Sequence, residues 1–274
     1  MKRVIYYYQT FSGLNDILKQ DNPVVTHIHL SSIHFGLSSD NSPYIHLNNN
    51  PPNSYKFNSV WEDIKKANDK GIKIVLMVGG AGGAFTDLFN NFDIYYKLLK
   101  DTIIDHPEIC GIDLDVEEGV NLDNIKMLIN KIVEDFGEEF IIAMAPLAYS
   151  LQNDGPGMGG FSYKELYNSK EGKYIDYFNG QFYGDYTLQA YENIINNGYP
   201  SEKIVMGMVS GDFSSGNFEQ AINVVASISE KYDMGGVFVW EYFDCPPDNK
   251  DHYKWAENMY NALHIKLLKD CIIL

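Results

Sequence analysis

The sequence predicts an α/β protein built as a single (β/α)8 TIM barrel over residues 1–274. Short runs rich in β-branched and apolar residues alternate with amphipathic helical stretches along the chain. Eight such runs fall within about 250 residues, which is the count and size of that architecture. A doubly wound sheet, the main competitor, usually has fewer strands and a Gly-rich phosphate turn after its first, and here that turn reads Gln9-Thr-Phe-Ser-Gly13, which is no such fingerprint.

The elements follow in order. Arg3–Tyr8 is apolar and aromatic at nearly every position, as expected of a strand covered on both faces, and Leu14–Lys19 has helical spacing. Val25–Ser31 is the second strand, and Val60–Asp69 the helix that returns from it. Lys73–Gly79 is a third strand, halted at the Gly79-Gly80 pair and followed by a helical pattern over Thr86–Asp105. Cys110–Glu117 precedes the helix Leu122–Phe136, and Phe140–Pro146 precedes the short helix Tyr163–Asn168. Tyr177–Tyr183 with Leu188–Asn196, Lys203–Ser210 with Phe218–Lys231, and Gly235–Trp240 with Asp251–His264 complete the series. Two connections are long, Ser32 to Phe57 and Leu147 to Ser162, and both follow a strand. In a barrel that places them at the C-terminal mouth, where they would wall an elongated ligand.

Composition narrows the partners. Lys and Arg number 21 against 37 Asp and Glu, a formal charge of −16. Such an excess repels phosphate backbones and anionic headgroups, so nucleic acid is excluded as a partner class. Twenty Tyr, fifteen Phe and three Trp supply flat apolar rings with polar rims, which suit neutral sugars. Cys110, Cys245 and Cys271 show no C-x-x-C spacing and read as free thiols of a reducing compartment. The opening MKRVIYYYQT lacks the apolar core of a secretory signal, and no long uncharged apolar run predicts a transmembrane span. These features predict a cytoplasmic location. The last four residues, Cys271-Ile-Ile-Leu274, fit the C-a-a-X prenylation pattern, with Lys266 and Lys269 before them; the competing reading is an apolar helix end packed on the barrel. A lipid at Cys271 would associate the chain with a membrane.

The fourth strand carries the chemistry. In Cys110-Gly-Ile-Asp-Leu-Asp-Val-Glu-Glu118, strand alternation turns Cys110, Ile112, Leu114 and Val116 toward the helices and Asp113, Asp115 and Glu117 toward the barrel interior. Neighbours in this row start about 6.6 Å apart along the strand. Like charges in a partly dry site raise one another's pKa and share protons, which makes Glu117, nearest the mouth, the expected proton donor. A metal site is the rival reading of an inward carboxylate row, and the other strand ends supply few further ligands. The His27-x-His29 pair also occurs in zinc-dependent barrel hydrolases, but without inward His or Asp on later strands it reads as packing or rim histidine.

The segment resembles the D-x-x-D-x-D-x-E signature of glycoside hydrolase family 18, the chitinases and endo-β-N-acetylglucosaminidases, with Asp113, Asp115 and Glu117 at its last three acidic positions. Val75-Leu-Met-Val-Gly-Gly80, Ala143-Met-Ala-Pro146, Gln181-Phe-Tyr183 and Gly235-Gly-Val-Phe-Val-Trp240 resemble the family's other strand-end motifs in order. The resemblance implies substrate-assisted hydrolysis without metal or cofactor, in which the sugar's own acetamido oxygen is the nucleophile. Glu117 is then the acid and base, Asp115 orients the acetamido group, Asp113 sits deeper and sets the protonation of Asp115, and Tyr183 donates its hydroxyl. Trp240 floors the subsite, and Gln181, Tyr6, Met144, Glu241 and Gly80 line it. The expected substrate is a β-1,4 bond between N-acetylglucosamine units of chitin or chitooligosaccharides. The alternatives are the chitobiose core of N-glycans, or a non-catalytic chitinase-like lectin.

Overall fold

Strand β1 (Arg3–Tyr8) is alternately turned between two apolar surroundings, and that pattern organises the whole molecule. The computed structural model describes residues 2–213, 216–248 and 250–265. The further strands are β2 (His27–Leu37), β3 (Pro43–Leu47), β4 (Lys73–Gly79), β5 (Ile109–Asp115), β6 (Ile141–Met144), β7 (Tyr177–Gln181), β8 (Ile204–Val209) and β9 (Gly236–Trp240). Eight of them pair in parallel, in the order β1-β9-β8-β7-β6-β5-β4-β2, and β2 pairs again with β1, so the sheet closes into the expected barrel. A closed sheet leaves no edge among these eight.

Two cores result. Outside the strands, Ile112, Leu114 and Val116 pack in one cluster with Ile125, Leu128, Ile129 and Ile132 of the helix Leu122–Phe136. Each fully buried aliphatic side chain contributes about 1.5–3 kcal/mol. Inside the barrel, Ile5, Tyr7, Met77, Ala143, Tyr177, Val205 and Phe238 form a second, smaller cluster. Bulk here is balanced by glycine: a Cβ on Gly207 would lie 2.0 Å from the Phe238 ring, so the ring occupies the space that any larger residue on β8 would need.

Two expectations change. The segment between Ser32 and Phe57 is not a plain loop: β2 continues to Leu37 and turns back antiparallel as β3. The turn is made by Ser38–Ser42, where Asp40 Oδ1 accepts from Ser38 Oγ and Ser42 N and Asn41 takes a left-handed φ of 64°. The helix expected over Thr86–Asp105 is two helices, Phe85–Asn90 and Phe92–Asp105, broken at Asn91 with φ −146° and ψ 61°. Asn is a poor helix-interior residue because its amide competes with the backbone. Cys110 and Cys245 are free thiols. No described helix is long and apolar enough to cross a membrane. Cys271 and the C-a-a-X tetrapeptide lie outside the described residues.

Candidate active site

Strand β5 delivers its acids to the interior as the alternation requires. Asp113 is fully buried, level with Met77 of β4 and Ala143 of β6. Its Oδ2 accepts three hydrogen bonds: from Tyr7 Oη at 2.5 Å, His29 Nδ1 at 2.8 Å and Asn179 Nδ2 at 3.2 Å. Its Oδ1 is buried without a protein partner. Burial and the Asp113 charge push the Tyr7 hydroxyl well above its ordinary pKa, so this donor keeps its proton.

Asp115 lies two residues up the same face and closes β5. Burial first, then the negative charges of Glu117 and Asp113, push its carboxyl well above the usual carboxylate range. Its Oδ1 accepts from Gln181 Nε2 at 3.3 Å, and the same amide reaches Glu117 Oε1 at 3.5 Å while donating to Ala145 O at 2.8 Å. Glu117 stands just beyond the strand end and is half-buried. Asp115, Glu117, Gln181, Tyr183, Trp240 and Gly80 together line a cavity of about 230 Å³. Gly80 has φ 81°, and its amide donates to Asp115 O at 2.9 Å, so the chain turns tightly over the carboxylates. Burial pushes the Tyr183 hydroxyl well above its ordinary pKa, so it keeps its proton. Trp240 stands 5.3 Å from Tyr7, ring centre to ring centre.

Three residues expected to line the cavity are elsewhere. Tyr6 belongs to the outer core, where its hydroxyl donates to His252 O and accepts from Ala256 N. Tyr7 is the inward tyrosine of β1. Met144 likewise faces the helices, and Ala143 and Met77 face inward instead. Glu241 sits behind the rim, accepting from Gln9 N at 2.8 Å and Thr10 N at 3.0 Å, so it anchors the chain that carries Gln9 to the cavity. Sequence reasoning passed over Asn179, whose place two residues before Gln181 on the same strand face was the available signal. It also passed over Glu118, whose carboxylate accepts from Ala84 N, Thr86 Oγ1 and, at 2.6 Å, Phe85 N, tying the loop after β4 to the residue beside Glu117. His29, read as packing, is fully buried beneath the acids and contacts Asp113 directly. No described residues form a group of three His, Cys, Asp or Glu placed to hold a metal ion.

Gln9, Ser32 and Ala81 line a second, wider basin of about 780 Å³ along the β2–β3 hairpin, where His34, Tyr44, His46, Asn48 and Asn49 supply polar edges. The cavity and basin share these three lining residues and so adjoin one another beside the acid pair.

The inward carboxylates and the Trp240 ring thus line a small cavity that adjoins a polar basin at the mouth of the closed barrel. No family model matches the chain. The chain is similar to chitinase ChiC from Aspergillus fumigatus, 30% identical, covering 96% of this chain and 100% of that one with a TM-score of 0.81. It is also similar to a fungal endo-β-N-acetylglucosaminidase from glycosyl hydrolase family 18, at 29% identity, 97% and 99% coverage and a TM-score of 0.85. Chitinase 2 from Rhizopus oligosporus is 25% identical over 213 residues, 67% of this chain, and the match spans 36% of that relative's length. The chain belongs to glycoside hydrolase family 18.

Proposed function

We propose that the chain, as one catalytic barrel, hydrolyses the β-1,4 bond between N-acetylglucosamine units with retention, by substrate-assisted catalysis. The observation that carries this reading is the carboxylate row itself: Asp115 buried with a raised pKa between Asp113 and Glu117, at the bottom of a cavity of about 230 Å³. Glu117, the acid exposed to the cavity, protonates the glycosidic oxygen and then activates water from the same side. The acetamido oxygen of the sugar attacks its own anomeric carbon, so no enzyme carboxylate needs to act as nucleophile. Asp115 accepts a hydrogen bond from the acetamido N–H, which holds the group for attack and disperses the positive charge of the oxazolinium ion as it forms. The protonated Tyr183 hydroxyl is the donor to the acetamido oxygen, and the Trp240 ring is the apolar floor under the distorted sugar.

A second reading has its own observation. The basin is more than three times the volume of the cavity it joins and its rim is polar, which suits a branched, hydroxyl-rich glycan as well as a linear chain. The chitobiose core of an N-glycan is therefore the alternative substrate, since it presents the same bond. Turnover of chitotetraose and of a high-mannose glycopeptide, with the first-formed anomer followed by proton NMR, tests both. Faster cleavage of either one names the substrate, and release of the β-anomer supports retention. Cleavage of neither, or release of the α-anomer, overturns the proposal.

A further inference from the structure

The floor of the barrel contains a histidine that the catalytic reading does not use. His29 is fully buried on β2, with Nδ1 2.8 Å from Asp113 Oδ2 and Nε2 3.1 Å from Tyr177 Oη. Its tautomer follows from its partners. Asp113 Oδ2 already accepts the Tyr7 hydroxyl and the Asn179 amide, so the proton between His29 and Asp113 lies on Nδ1. In the neutral ring Nε2 is then an acceptor, and the Tyr177 hydroxyl supplies the proton, since burial and the Asp113 charge push that hydroxyl well above its ordinary pKa. The imidazole is thus held at both nitrogens, by Asp113 of β5 at one and by Tyr177 of β7 at the other.

The effect falls on one oxygen. All three donors converge on Asp113 Oδ2, while Oδ1 is buried with no hydrogen-bond partner, and Asp113 acts on Asp115, two residues along the same face, through its charge. We propose that His29 is a positioning residue of the carboxylate row: its Nδ1–H holds Asp113 as an oriented anion, so that the proton the row shares rests on Asp115. The other charged or titratable groups facing this floor are Arg3, whose guanidinium lies 4.1 Å from the Tyr177 ring centre, and His27, whose pKa is pushed well below its ordinary value mainly by burial. Above it stand Asp115 and Glu117, with the Tyr183 hydroxyl. Among these, Nδ1 of His29 is the ring donor that reaches Asp113. This role deepens the proposed glycosidase reading, but the proton placement it asserts exists without substrate.

Two amides separate the two nitrogens. His29→Asn places a donor near Nδ1 and loses the Tyr177 contact; His29→Gln places its amide near Nε2 and loses the donor to Asp113. We expect the Asn variant to keep the wild-type pH profile. The Gln variant should lose at least about tenfold in kcat with KM within about twofold, and the row should release its shared proton about one pH unit higher, because the second anion is no longer stabilised. The titration is read without substrate by the infrared band of the protonated carboxyl group. Equal shifts in both variants, or none in the Gln variant, overturn the proposal. If either variant fails to fold, nitrogen NMR of the labelled wild-type imidazole decides: a protonated Nδ1 supports the assignment, and a bare Nδ1 overturns it. A wild-type protein that cleaves neither sugar, yet shows this NMR and infrared behaviour, would sink the proposed function and leave the His29 role standing.

Discussion

The two ends of the carboxylate row are built on opposite principles. At the lower end, Asp113 is enclosed and one of its oxygens receives three donors from three different strands. At the upper end, Asp115 and Glu117 share one Gln181 amide at 3.3 and 3.5 Å, and that amide's closest bond goes to Ala145 O. A buried carboxylate with one oxygen held by three donors is fixed in orientation and has nothing to exchange with solvent. An undersupplied pair beside a cavity has unused hydrogen-bonding capacity and a proton to redistribute, which a ligand can recruit. The difference teaches that scaffolding and chemistry can alternate along one strand, two residues apart.

The comparison breaks most visibly at the top. Glu117→Gln should lower kcat by about 10²–10⁴-fold with little change in thermal stability, measured by steady-state turnover beside a melting curve. A variant that keeps full rate removes the acid assignment. At the bottom the ranking of effects reverses. Asp113→Ala leaves the donors of Tyr7, His29 and Asn179 facing an empty site, and at about 1–3 kcal/mol for each unsatisfied donor it should cost roughly 3 kcal/mol or more by urea denaturation. A loss under about 1 kcal/mol would mean that water replaces the carboxylate without penalty.

Asp115→Asn tests the middle of the row through pH. The folded-state pKa of Asp115 lies above its unfolded value near 4, so between the two the native state holds a proton that the unfolded chain has released. Wild-type stability from this group is therefore full below about pH 4 and falls as pH rises toward the folded pKa, with a slope of about 1.4 kcal/mol per unit. The amide does not titrate, so the stability of Asp115→Asn minus that of wild type should grow with rising pH and then level off. A difference that stays flat from pH 4 to 8 contradicts the raised pKa. The smallest effect belongs outside the row: Tyr6→Phe deletes the bond to His252 O and the acceptor of Ala256 N, and should cost about 2 kcal/mol of stability while leaving kcat unchanged.

Legibility followed contrast between the two faces of a strand. Asp113, Asp115 and Glu117 alternate with apolar residues, so their inward parity could be read directly, and the eight βα units with it. Tyr6, Tyr7 and Tyr8 are consecutive and chemically identical, and with Val4 and Ile5 before them nothing in the local pattern marks which ring faces the cavity. Met144 between Ala143 and Ala145 is equally silent. His29 lay beyond local reasoning for another reason: its partner Asp113 is 84 residues away, and only the closed barrel brings them together. The β2–β3 hairpin was hidden by its polar turn and the Asn-rich stretch beyond it, although Ser38–Ser42 is a recognisable turn cluster.

The three donors on Asp113 lie 106, 84 and 66 residues away along the chain, on β1, β2 and β7. During synthesis the first two wait for the acid, and the third follows it after two further βα units. Until β7 has docked and β9 has paired with β1 to shut the ring, Asp113 faces a wet, open sheet and has no reason to differ from a surface carboxylate. The dry setting that separates the proton affinities along the row thus depends on ring closure and not on the motif alone. A partly made or partly unfolded chain can carry every acid of the motif and still lack a poised one.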